Sequence, residues 1–82
     1  MAVNYDMVRA DGQFAGYRQW ELGFDTTPAT DETLNEWADD EANDYCEDGL
    51  EDDKYAHQVF AEGYITGYHS ALEVYPSGNR PR

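Results

Sequence analysis

The sequence predicts an α+β domain, an N-terminal β-hairpin packed on two antiparallel α-helices, with an all-α small bundle as the alternative. Three observations carry that expectation. An Asp-Gly pair, Asp11-Gly12, separates two short runs of mixed polarity. Apolar residues recur at helical spacing from Leu34 onward, and a second, longer helical pattern is closed by Pro76. Eighty-two residues bound one domain with a small core, because a chain of this size buries only about 60% of the surface it exposes when unfolded. That domain is expected over 1–76, with 77–82 as a short, disordered basic tail.

Asp-Gly between extended runs favours a two-residue type I′ turn. Pairing Ala10 with Gln13 sets Arg9, Met7, Tyr5 and Val3 opposite Phe14, Gly16, Arg18 and Trp20, and Leu22 and Phe24 continue that face. Asn4, Asp6, Gln13 and Gln19 fall on the other, so one face is largely apolar and the register is specified. A helix across Phe14 to Phe24 is the rival reading, but it would scatter its apolar residues around the cylinder. A lone hairpin is barely stable in water and must pack on something else.

Residues from Thr26 to Ala29 form a linker, with Pro28 ending any strand. Thr30 is a good N-cap, and Asp31 and Glu32 complement the positive end of a helix dipole. Leu34, Trp37, Ala38, Ala42, Tyr45 and Gly49 then form one stripe, with Cys46 at its edge. Glu36, Asp39, Asp40, Asn43, Asp44 and Glu47 line the opposite face. Gly49 suits the position just past the helix C-terminus. Glu41 is the misfit, since it projects toward the apolar stripe.

The next helix is expected from about Asp53 to Val74. Val59, Gly63, Gly67 and Ala71 lie four apart, a ridge of small residues that lets another element approach closely. Tyr64, Tyr68, Leu72 and Tyr75 form a second group further round. This apolar arc covers more than half the cylinder, so a homodimer or docking face is expected at these four residues.

Charge is the most informative feature. The formal net charge is −13, and twelve of the eighteen acidic residues fall between Asp31 and Asp53, a stretch without Lys or Arg. Such a chain is repelled by bare nucleic acid and by anionic lipid, which argues against direct contact with either. Its single cysteine, Cys46, allows no intramolecular disulfide, and no apolar run is long enough to span a membrane. With no basic n-region at the start, a cytoplasmic protein is expected, in a host cell if phage-encoded.

Catalytic and metal chemistry find little support. Asp44, Asp48, Gly49 and Asp52 match positions 1, 5, 6 and 9 of an EF-hand loop, but Tyr55 stands where the bidentate Glu belongs. His57 and His69 are twelve residues apart on one helix, too far along it to share a metal. No Ser/His/Asp constellation, phosphate loop or zinc-ligand spacing is present. The expectation is a non-enzyme without cofactor or metal.

A row of carboxylates on a helix is a different matter. At about 1.5 Å rise per residue, Glu36, Asp40, Asp44 and Glu47 recur every ~4–6 Å, against about 3.4 Å per phosphate along one strand of duplex DNA. Such a rod approximates a phosphate track and fits a Lys/Arg cleft that normally holds nucleic acid. The rival is a solvated face serving solubility or salt adaptation. Salt adaptation should spread acids everywhere, whereas Tyr55 to Arg82 holds only Glu62 and Glu73.

In charge layout and element order over Val3 to Asp53, the chain resembles the small acidic DNA-mimic inhibitors of phages and mobile elements, of anti-CRISPR and antirestriction type. The resemblance implies a stoichiometric inhibitor that occupies the basic nucleic-acid-binding surface of a defence complex or nuclease. It implies contacts by Glu36, Asp39, Asp40, Asp44, Glu47 and Asp48, extended by Glu51, Asp52 and Asp53. Buried tyrosines or Trp37 near the patch would add affinity. The alternative is a small structural or assembly protein that dimerises or docks through the Tyr-rich helix.

Overall fold

The computed structural model describes residues 2–23 and 27–76, and among these the chain is three helices and no strand. They are α1 (Tyr5–Glu21), α2 (Asp31–Cys46) and α3 (Lys54–Val74). The α+β expectation is therefore wrong, and the all-helical bundle is the observed fold. Asp11-Gly12, read as a hairpin turn, lies in the middle of α1. Phe24 and the proposed 77–82 tail lie outside the described residues.

The physical reason is glycine. Val8, Gly12, Gly16 and Trp20 recur every four residues and form the buried side of α1. They face the matching ridge of α3, where Gly63 and Gly67 are also buried. A Cβ on Gly12 would strike the Phe60 carbonyl oxygen, and one on Gly16 the Tyr64 carbonyl oxygen. From the other side, a Cβ on Gly67 would strike the Gln13 carbonyl oxygen, and one on Gly63 would sit 2.5 Å from that of Arg9. Each interior glycine costs a helix about 1 kcal/mol relative to alanine. Here the loss is offset by two backbones packing directly on each other, with dispersion contacts that no larger residue permits.

Alpha1 and α3 run parallel. Near their starts the Tyr5 hydroxyl donates to Asp53 Oδ2 at 2.8 Å, and near their ends the Trp20 indole N–H donates to the Tyr75 carbonyl at 2.6 Å. Alpha2 runs the other way against α3, so that the Ala29 amide donates to the Tyr68 hydroxyl while Asn43 meets His57. Packing here is by side chains. Tyr45 stacks on Phe60 with centroids 4.4 Å apart, and Trp20 and Trp37 both meet the Tyr68 ring edge-on. Leu34, Ala38, Ala42 and Cys46 form the buried stripe of α2.

The helix ends follow capping chemistry. Asn4, Thr30 and Asp53 each accept a hydrogen bond from a backbone N–H three residues on. After α2 the chain turns through Gly49, whose φ of 103° only glycine adopts without strain.

Candidate functional site

Helical geometry sets the acidic residues of α2 opposite its buried stripe. At 3.6 residues per turn, Glu36, Asp40, Asp44 and Glu47 fall within a band about 80° wide, centred away from Leu34, Ala38, Ala42 and Cys46. All four are exposed. Asp48, Glu51 and Asp52, also exposed, continue the ridge into the turn between α2 and α3. That turn is held by backbone hydrogen bonds from Leu50 N to Cys46 O and from Asp53 N to Leu50 O.

Two members of the expected surface are partly committed elsewhere. Asp53 caps α3 through the Ala56 N–H and accepts the Tyr5 hydroxyl, so it ties three segments together. The Ala56 N–H, then the Tyr5 hydroxyl, hold its carboxyl below the ordinary carboxylate range, and its negative charge is locked in place. Asp39 lies on the flank of α2 with Oδ1 3.2 Å from His57 Nε2, which also contacts Asn43 Oδ1 at 2.9 Å. That is the single ion-pair geometry among the described residues, and no Lys or Arg is paired with a carboxylate there. The ridge keeps its charge.

Consecutive ridge members at i, i+4 are like charges, which destabilise a helix by about 0.2–0.5 kcal/mol per pair. Glu36, Asp40 and Asp44 form two such pairs. Stability gives no reason to gather them, and α2 has no Lys or Arg to relieve them.

The second expected surface is not an outer face in this fold. Tyr64 and Tyr68 are each 1% exposed and belong to the core, while Leu72 and Tyr75 are partly buried against it. The arc that looked too broad for one small core is covered from both sides, by α1 on the glycine ridge and by α2 on the rings. Burial, with the Glu41 charge as the next cause, pushes the Tyr64 hydroxyl well above its usual pKa. Glu41 itself is exposed, at the edge of a shallow depression of about 150 Å³ shared with Trp37, Asp40 and Tyr64. Trp37 is half-buried beside the ridge, where a ring near the patch was expected. Among the described residues Met7 and Phe14 are the most exposed large apolar side chains, and they sit on the far side of α1.

Sequence reasoning missed a cavity of about 300 Å³ at the α2–α3 corner. Asn43, Cys46, Glu47, Glu51, Lys54 and His57 contribute to its wall. No linear motif announces it, because two helices and the turn between them build it jointly. Cys46 is buried, and burial pushes its thiol up, with Asp53 and Glu51 adding to the shift.

No protein-family model, curated protein or solved structure matches this chain. Among the described residues, no helix is long and apolar enough to cross a membrane.

Proposed function

We propose that the protein is a nucleic-acid mimic, a stoichiometric inhibitor that seats the outer face of α2 in the basic cleft of a nucleic-acid-binding protein and excludes the substrate. One observation carries the reading: exposed carboxylates line the outer face of a capped helix and the turn that follows, and among the described residues no Lys or Arg pairs with them. From Glu36 to Glu47 the ridge runs for about 17 Å, the span of about five phosphates along one strand. Partners are basic proteins of a defence complex or nuclease, and host-cell cytoplasm is the matching setting for a phage-borne inhibitor of anti-CRISPR or antirestriction type. No step of the mechanism needs catalysis. Charge speeds encounter, and a close fit to Arg and Lys side chains slows release.

The test is a retention experiment followed by competition. Immobilised wild-type protein should retain a basic nucleic-acid-binding protein from host lysate, and Asp40→Lys with Asp44→Lys should not. Nucleic acid added in excess should elute what the wild type holds. Retention by the doubly reversed variant would remove the acidic face from the account.

A further inference from the structure

The ridge does not end on a flat surface; it runs into the cavity at the α2–α3 corner, and the two meet at Glu47. The wall of that cavity has three chemistries. Glu47 and Glu51 are exposed carboxylates with no ion-pair partner among the described residues, and Asp53 adds a third whose charge is fixed by its two hydrogen bonds. Cys46 supplies a buried, uncharged surface. His57 supplies a ring anchored at its Nε2 edge by Asn43 and Asp39.

We propose that this cavity receives an arginine side chain of the protein partner, with the guanidinium among Glu47, Glu51 and Asp53, the alkyl stem against Cys46, and His57 as a stacking wall. The inference rests on the mimic reading for the existence of a basic partner and adds the residue type that anchors it. Size, charge and shape each favour this ligand. The cavity's 300 Å³ accommodates a long side chain. Three carboxylates outnumber the one ammonium, Lys54, on the wall. A guanidinium is planar, offers a fork of donors to paired carboxylates, stacks on aromatic rings, and is less strongly hydrated than an ammonium, so partial burial suits arginine over lysine. A bare metal ion fits less well, since among the described residues no three His, Cys, Asp or Glu side chains are grouped to hold one.

Isotope-labelled full-length protein titrated with tri-arginine and with tri-lysine, in about 0.15 M salt, tests this directly. Tri-arginine should give saturable shifts at Cys46, Glu51 and His57, with affinity about tenfold above that of tri-lysine. Glu47→Gln with Glu51→Gln should erase the preference while leaving the melting temperature in place, because both side chains are exposed. Lys54→Gln should tighten tri-arginine binding by removing the one like charge. Equal affinities, shifts confined to Glu36 through Asp44, or no shifts at all would overturn the arginine site. Its failure and that of the mimic reading separate cleanly. If the ridge variant Asp40→Lys with Asp44→Lys still displaces nucleic acid from the captured partner, the mimic reading fails whatever the peptides do. If only the arginine preference is missing, the cavity proposal fails alone.

Discussion

Against α1 the central helix offers glycines; against α2 it offers rings. The middle of the α1–α3 contact is made by backbone on backbone, at Gly12, Gly16, Gly63 and Gly67, with Val8 and Trp20 closing the α1 ridge at either end. The α2–α3 contact is made by Tyr45 on Phe60 and Trp37 on Tyr68, with Leu34 and three small residues on the buried stripe. One narrow face of α2 suffices for that, and the remaining face has no structural duty. The difference teaches where charge can accumulate. Alpha1 holds three acids and two arginines, whereas α2 holds seven acids and no basic residue. The helix that leans on side chains is the one free to carry a ridge.

The largest effect should come from the glycine contact. Gly16→Ala improves intrinsic helix propensity, yet its Cβ would strike the Tyr64 carbonyl oxygen. Two backbones must separate, and a loss of about 3 kcal/mol is expected. At about 4–8 °C per kcal/mol for a domain of this size, the melting temperature should fall by more than ~10 °C. A stabilising Gly16→Ala would mean that α1 and α3 are not in backbone contact.

Next in size is the α2 side. Tyr68→Phe removes the hydroxyl that accepts the Ala29 N–H at 2.9 Å. A loss of about 1–2 kcal/mol should follow in urea melts, with little change in the m-value. Because the Tyr68 ring is buried in the core, a charge placed there by Tyr68→Lys should unfold the domain. Smaller again is the outer face, where Asp40→Lys with Asp44→Lys should move stability by no more than about 0.5 kcal/mol.

The pH response belongs to the contacts between helices. Asp53 has its pKa lowered in the folded state, so its contribution is complete above the unfolded carboxylate value of about 4 and fades as pH falls below it. Asp53→Asn should flatten that acid limb. At the other end burial, then the hydrogen bond to Asp11 Oδ2, pushes the Tyr45 hydroxyl up to about 12. Its raised folded pKa contributes stability below the phenol's usual 10, lost as pH climbs from 10 toward 12, and Tyr45→Phe should weaken that alkaline dependence.

Much of α2 and α3 was legible because their signals are local. Thr30 caps, Leu34 to Ala42 recur at helical spacing, and Pro76 follows the end of α3. Alpha1 was not legible, because its buried face is made of the residue that every local rule reads as a helix breaker. With Gly12 and Gly16 inside and Met7 and Phe14 outside, its side chains show almost no amphipathic pattern. A signal was present at longer range: Val8-Gly12-Gly16 repeats the spacing of Val59-Gly63-Gly67, and two such ridges in one chain invite each other. The ridge on α2 could be read from spacing alone. The double commitment of Asp53 could not, since Tyr5 reaches it from 48 residues away. The tyrosines of α3 were misplaced for a related reason, because without α1 as a helix half of the arc had nothing to cover it.

The central claim is that the outer face of α2 competes with nucleic acid for one basic cleft. Fluorescence anisotropy of a labelled duplex bound to the captured partner measures that competition. Wild type should displace the duplex stoichiometrically, less well as salt rises, while Asp40→Lys with Asp44→Lys should leave it bound. Displacement by the reversed variant, or a ternary complex in which duplex and inhibitor bind together, would contradict the account.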